Sequence, residues 1–191
     1  MATKVVYQTL EDGGTEPSKL ESDGPYLCKW ENSWLGKGYY FWDTFIENAH
    51  WWGKEGRAYK NGYIICKAVC DFNNTECFDL VGNTEHIKEF GDIYETYMTK
   101  GLADKKTTVK RIIEHMMNVL KKFPYTAMRA YGIRSRNQNS KYNFELLFET
   151  TKTPYLDLRP AYQICFYTKK SLNLKNYKIV YPAESAEDYL A

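Results

Sequence analysis

The segment from Gly36 to Trp52 constrains the fold of this chain more than any other part of the sequence. It reads Gly-Lys-Gly-Tyr-Tyr-Phe-Trp-Asp and then, two residues further on, Ile-Glu-Asn-Ala-His-Trp-Trp. Two glycines lead into an aromatic strand, and Thr44 in an N-cap position predicts a helix that continues to about Gly53. The small side chain of Ala49 leaves room above flat rings. The segment therefore predicts a strand and a helix that together hold a planar ligand.

The remaining periodicity predicts strands on both sides of a helical middle. Strands are expected over residues 5–9, 38–42, 63–70, 77–80, 126–133, 142–150, 162–167 and 177–181. The run 63–70 is apolar enough for a central strand, whereas 11–32 is rich in turn formers and predicts a long loop. Asn83 is a candidate cap for a helix reaching Met98, and apolar residues from 109 to 120 predict a second helix that Pro124 ends. This order predicts a single α+β domain over residues 1–191.

Composition excludes several classes of function. The formal net charge of +2 provides no general attraction to nucleic acid or an anionic membrane, and no apolar run approaches the roughly 20 residues of a membrane helix. The five cysteines form no CxxC pair and predict free thiols in a reducing, cytoplasmic setting. The three histidines have no metal-ligand or triad spacing, and no phosphate-binding glycine loop occurs, so no metal site is predicted.

Three segments resemble the ADP-ribosyltransferase fold, in its diphtheria-toxin-like and poly(ADP-ribose) polymerase-like branch and its bacterial toxin relatives. They are Gly36-Lys37-Gly38-Tyr39-Tyr40-Phe41, the helical Ala49-His50-Trp51, and the late strand Gln163-Ile164-Cys165-Phe166-Tyr167. The resemblance implies split antiparallel β-sheets flanked by helices and a site that binds NAD as co-substrate. It implies that Gly38, Tyr39 and Ala49 border this site, with the nicotinamide ring held between Tyr40 and Trp51.

Two polar positions depart from the family pattern. Gln163 stands where the family usually has the catalytic glutamate, and Gln8 and Thr9 stand where a histidine and a glycine are usual. An amide can hydrogen-bond a ribose but brings no charge to stabilise an oxocarbenium-like sugar. The resemblance therefore implies transfer of a single ADP-ribose unit, or no activity, rather than polymer elongation.

Other residues offer alternative roles. Glu145, between apolar neighbours, is an alternative acid if it points into a cleft. Arg129, Arg134 and Arg136 are candidate contacts to the phosphates of NAD or of a nucleic-acid acceptor, while a solvated basic loop is the simpler interpretation. The aromatic residues likewise have a simpler interpretation as an ordinary core.

The preferred hypothesis is an NAD-dependent mono-ADP-ribosyltransferase acting as a bacterial toxin or phage-defence effector. Its partners would be NAD, a protein or nucleic-acid acceptor and a neutralising antitoxin, with no membrane. The alternatives are a catalytically inactive module of the same fold that binds NAD, ADP-ribose or a protein, and an aromatic-rich interaction protein of unrelated α+β fold.

Overall fold

The computed structural model of the protein describes residues 2–132 and 139–183. Its elements follow in the order β1 (Ala2–Glu11), α1 (Pro17–Asp23), β2 (Tyr39–Asp43), α2 (Ile46–Trp51), a π-helical turn (Trp52–Gly56), β3 (Tyr63–Phe72), β4 (Cys77–Asp79), α3 (Thr84–Thr99), α4 (Val109–Asn118), β5 (Ala127–Tyr131), β6 (Glu145–Leu147), β7 (Tyr155–Asp157), β8 (Tyr162–Phe166), a 3-10 turn (Ser171–Asn173) and β9 (Lys175–Tyr181).

Seven strands form one mixed sheet in the order β4-β5-β8-β2-β1-β3-β9, and β6 and β7 form a separate small hairpin. The predicted single α+β domain is confirmed. The expected arrangement of two antiparallel sheets differs from this one in two respects. Strands β4 and β5 run parallel, and hydrogen bonds between β1 and β2 join all seven strands into one sheet.

The join between β1 and β2 is narrow. On one side β1 pairs with β3 along its whole length, from Ala2 opposite Phe72 to Glu11 opposite Tyr63. On its other side it pairs with β2 only where Val6 faces Asp43 and Tyr7 faces Trp42. Within the described strands, β1 after Tyr7 and β2 before Trp42 are not paired with each other. This leaves an opening between the later part of β1 and the earlier part of β2.

Strand β2 separates two packed regions because successive side chains point to opposite faces of a sheet. Phe41 packs on one face against Phe166, with ring centroids 5.3 Å apart. Tyr40 and Trp42 lie on the other face, where Trp42 packs edge-on against Trp51 at 5.8 Å. The prediction that 63–70 is a central strand is confirmed, since β3 lies between β1 and β9.

The two helices of the middle region match the sequence pattern. The side chain of Asn83 accepts hydrogen bonds from the backbone N–H groups of Glu85 and His86, at 3.0 and 3.2 Å, and so caps α3 as predicted. Helix α4 buries Ile112, Ile113 and Met116 on its core face. No described helix is long and apolar enough to cross a lipid bilayer.

Three local predictions are wrong. Thr44 does not cap α2: its φ is 65°, and the N-cap is Phe45, which makes no side-chain capping bond. Within the expected loop 11–32, Glu16 caps a short helix, α1, by accepting from the N–H groups of Ser18 and Lys19. The expected strand 142–150 is limited to β6, which pairs with the equally short β7 in a separate hairpin.

Candidate functional site

A cavity of about 290 Å³ opens where β1 and β2 separate. Strands β1, β2 and β8 form its floor, the segment 26–34 forms one wall, and the π-helical turn with the residues after it forms the other. The lining residues are Gln8, Thr9, Leu10, Glu11, Tyr26, Leu27, Cys28, Trp30, Asn32, Ser33, Trp34, Tyr40, Phe41, Trp42, Trp52, Arg57, Tyr59 and Gln163. Four of the predicted site residues, Gln8, Thr9, Tyr40 and Gln163, therefore border one cavity.

Gln8 borders the cavity, but its hydrogen-bonding capacity is already used. Its Nε2 donates to the carbonyls of Tyr26 at 2.8 Å and Tyr40 at 3.4 Å. Its Oε1 accepts from the Tyr26 N–H at 2.9 Å and the Tyr177 hydroxyl at 2.8 Å. A glutamine amide has two N–H donors and two acceptor lone pairs, so no donor or acceptor is left for a ligand. Gln8 fixes the start of the 26–34 wall instead.

Tyr40 fixes the other end of the same wall. Its hydroxyl donates to the carbonyl of Gly36 at 2.7 Å and accepts from the N–H of Leu35 at 2.8 Å. Burial raises the pKa of Tyr40 well above that of an exposed tyrosine, so the hydroxyl stays protonated. The Cys28 N–H also donates to the Gly38 carbonyl at 2.9 Å. Together these hydrogen bonds attach the 26–34 wall to β2 and the residues just before it.

Gln163 is buried as Gln8 is, but it differs from Gln8 in its hydrogen bonds. It is only 7% exposed, and within the described part of the chain its side chain has no hydrogen-bond partner. It lies opposite Trp42 in the β2–β8 ladder and so shares the cavity face with that indole. Buried polar groups normally have partners, and this amide borders a cavity instead. Its unused donors and acceptor are available to whatever occupies that space.

The expected stacking pair of Tyr40 and Trp51 is not present in the form predicted. Trp51 is 2% exposed, packs inside the core against Trp42, and does not line the cavity. Helix α2 ends there, and the wider π-helical turn that follows places Trp52 on the cavity wall. Trp52 contacts Trp34 edge-on at a centroid distance of 6.5 Å. Trp52, and not Trp51, is therefore the tryptophan of this segment that borders the cavity beside Trp42.

Four further cavity residues were not identified from the sequence. Arg57 lies with its guanidinium 3.5 Å above the ring centroid of Trp30 and 5.0 Å from that of Trp52. Burial raises the pKa of Tyr59, while the charge of Arg57 acts in the opposite direction. Trp30 and Trp34 are half-exposed large rings. The available signal was their position, because two tryptophans in a loop rich in polar residues have no core to enter.

The remaining predicted residues beside β2 have structural roles. The Thr9 hydroxyl donates to the Ala49 carbonyl at 3.0 Å and so attaches α2 to β1. A Cβ on Gly38 would lie 2.4 Å from the sulfur of Cys165, so glycine is required there for close strand packing. Tyr39 packs in the core on the opposite face of the sheet. None of Gly38, Tyr39 and Ala49 lines the cavity.

Glu145 and Arg129 do not belong to this cavity. Glu145 is exposed on the separate β6–β7 hairpin. Arg129 is 9% exposed and lies in a buried ion cluster, with its Nε 2.8 Å from Asp43 Oδ2 and its Nη1 3.4 Å from Asp79 Oδ2. Since β5 turns this side chain toward two buried carboxylates, it is not free for a phosphate. Arg134 and Arg136 lie outside the described residues.

Glu11 is the one carboxylate among the residues that line the cavity in the described part of the chain. It acts on the Tyr59 hydroxyl in the opposite sense to Arg57, raising the pKa of that group. Across residues 2–132 and 139–183, no three histidine, cysteine or acidic side chains gather closely enough to hold a metal ion. The cavity thus has one positive and one negative side chain, with neutral aromatic and amide groups between them.

Comparisons of the chain with protein-family models, curated proteins and solved structures found no match.

Proposed function

We propose that the protein is an NAD-dependent mono-ADP-ribosyltransferase whose cavity beside β2 holds the nicotinamide-ribose end of NAD. The observation that carries the proposal is the buried amide of Gln163, which borders the cavity without a hydrogen-bond partner among the described residues. The sheet order supports it as well. Strands β8, β2 and β1, which carry Gln163, Tyr40 and Gln8, are direct neighbours and all contribute to the cavity floor.

The chemistry requires a flat, dry site with polar groups at the ribose. The bond between C1′ of the ribose and the nicotinamide nitrogen breaks, and neutral nicotinamide leaves with the bonding electron pair. An acceptor nucleophile then bonds to C1′ and loses a proton to solvent. The transition state resembles an oxocarbenium ion, so groups that orient the ribose and tolerate positive charge lower the barrier.

The cavity residues can be assigned to these tasks. The indoles of Trp42 and Trp52 offer faces and edges for the cationic pyridinium, and cation–π attraction contributes roughly 0.5 to 2 kcal/mol. Gln163 would hydrogen-bond a ribose hydroxyl. Gln8 and Tyr40 hold the 26–34 wall in place through the bonds described above, which makes them positioning residues.

A second candidate function is a non-catalytic module that binds NAD or ADP-ribose. The neutrality of Gln163 favours it, because an amide supplies no negative charge to the developing cation. Both candidates are compatible with a toxin or phage-defence effector restrained by an antitoxin, acting in the first case on a protein or a nucleic acid.

The deciding experiment uses NAD labelled in its adenosine half. Protein and cell lysate are incubated with it, released nicotinamide is measured by chromatography, and labelled products are digested with protease or nuclease to identify the acceptor class. We expect nicotinamide release and label in one of the two digests. Saturable NAD binding by calorimetry without release would overturn the enzyme and leave the binding module.

Two variants of one residue locate the chemistry. Gln163→Glu introduces the missing carboxylate, and we expect nicotinamide release to rise about tenfold or more as charge stabilisation is gained. Gln163→Met has a similar shape without the amide, and we expect release to fall about tenfold through loss of one ribose hydrogen bond. Equal rates in wild type, Gln163→Glu and Gln163→Met would place the ribose elsewhere.

A further inference from the structure

We infer that Arg57 is the anion site of the cavity and binds a pyrophosphate-containing small molecule through phosphoryl oxygens. This inference deepens the proposed function and rests on it for the identity of NAD, but not for the existence of the anion site. The fold holds this cation in place, and no carboxylate of the described residues neutralises it.

The guanidinium of Arg57 is positioned by stacking alone. It lies 3.5 Å over the Trp30 ring and 5.0 Å from the Trp52 centroid. Stacking fixes the plane of the guanidinium and uses none of its N–H groups, which lie in that plane. Within residues 2–132 and 139–183, no carboxylate lies within 4.0 Å of Arg57, and its buried Nε has no hydrogen-bond partner.

The backbone beneath Arg57 is shaped to place it there. The Arg57 N–H donates to the Trp52 carbonyl at 2.7 Å and closes the π-helical turn. A Cβ on Gly53 would lie 2.4 Å from the Tyr63 ring, and a Cβ on Gly56 would lie 2.7 Å from the Trp52 ring. Both glycines are therefore needed for the turn to pack this closely, and this packing sets Arg57 against the indoles.

An anionic ligand would supply what the site lacks. Arg57 is partly buried, and a guanidinium gains most from a planar, bidentate acceptor such as a phosphate edge, since a charge-assisted bond is about twice as strong as a neutral one. Glu11 also lines the cavity but makes no ion pair with Arg57. The two charges thus suit a ligand with an anionic and a cationic end, and the cavity volume of about 290 Å³ restricts the bound part to a small molecule.

The test uses tryptophan fluorescence, because Trp30 and Trp52 flank the site. Wild-type protein is titrated with inorganic pyrophosphate and with ADP-ribose, and saturable quenching is expected for both. Arg57→Gln should weaken both affinities about tenfold or more. Arg57→Lys, which keeps the charge without the planar fork, should fall between wild type and Arg57→Gln. The matched control is Arg111→Gln, an exposed arginine outside the cavity, which should bind as wild type does.

Binding of pyrophosphate by Arg57→Gln within twofold of wild type would overturn the assignment, and so would absence of binding by wild type. A measurement on wild type alone covers the case in which the variants fold poorly. Modification of Arg57 by phenylglyoxal, followed by peptide mass spectrometry, should be slowed by pyrophosphate. An unchanged modification rate at a pyrophosphate concentration that saturates the fluorescence quenching would also overturn the assignment. Nicotinamide release is measured separately. Pyrophosphate binding without release refutes only the enzyme, and release unaffected by Arg57→Gln refutes only the assignment of this anion site to NAD.

Discussion

Gln8 and Gln163 lie on strands that flank β2 on its two sides, and both were expected to contact ribose. Gln8 satisfies all four of its hydrogen-bonding positions within the protein, whereas Gln163, buried to a similar degree, satisfies none among the described residues. Arg129 and Arg57 repeat the contrast, since one faces two buried carboxylates and the other faces only aromatic rings. Gln8 and Arg129 face polar or charged groups of the protein and hold the fold together, whereas the side chains of Gln163 and Arg57 are available to a ligand.

The largest expected effect is on Arg129, which pairs with two buried carboxylates. Arg129→Gln leaves Asp79 buried without its cation and Asp43 with Lys4 alone, and we expect the free energy of unfolding to fall by about 3 to 5 kcal/mol. Arg57→Gln should lower it by only about 1 kcal/mol, the size of a cation–π contact. Urea unfolding followed by circular dichroism measures both. Equal losses would contradict the distinction between the two arginines.

A smaller difference is expected between the glutamines. Gln8→Met leaves the Tyr26 N–H and the Tyr177 hydroxyl without their acceptor, and we expect a loss of about 2 to 3 kcal/mol in unfolding free energy. Gln163→Met removes an amide without partners, so we expect a change within about 0.5 kcal/mol. The same urea titration applies. A loss in Gln163→Met as large as that in Gln8→Met would show that this amide is structural after all.

Glycines on the two sides of the fold offer a comparison of the same kind. Gly53→Ala pushes a methyl group into the Tyr63 ring, and we expect a loss of about 1 to 3 kcal/mol together with weaker pyrophosphate binding. Gly91→Ala, in the middle of α3 with open space around it, should gain up to about 1 kcal/mol and leave binding unchanged. Thermal unfolding and the fluorescence titration are the measurements. A stable Gly53→Ala would indicate that the turn can shift without cost.

The smallest effect is a rate of chemical labelling. Cys66, Cys70, Cys77 and Cys165 are buried, and burial raises the thiol pKa of Cys66 and of Cys70 to about 12. Cys28 is partly exposed and lines the cavity. Because the thiolate is the reactive form, we expect iodoacetamide at pH 8 to modify Cys28 first. Since Cys28 lines the cavity, bound ADP-ribose should slow that reaction several-fold. Mass spectrometry of the intact native protein would detect one added group, and a second group at the same rate would contradict the assignment.

The sequence predicted the parts of the site that depend on local pattern. The strand of aromatic residues and the cap at Asn83 follow from periodicity and order, whereas the expectation that Gln8, Tyr40 and Gln163 share one site came from the resemblance. The hydrogen-bond partners of Gln8 do not follow from local pattern, since Tyr177 lies 169 residues away along the chain. The position of Trp52 rather than Trp51 on the cavity wall does not follow from local pattern either, because it depends on the change from α-helix to π-helix at that point.

The narrow join between β1 and β2 has a consequence for how the protein unfolds. The group β4-β5-β8-β2 and the group β1-β3-β9 share only the two residue pairs of that join within the sheet. Such groups can open as separate units, with different hydrogen-exchange protection. A ligand touching Gln163 in the first group and β1 in the second bridges them, and its binding energy then raises the cooperativity of unfolding as well as the midpoint. Bound protein should therefore exchange its strand amides as one unit, where free protein exchanges them as two.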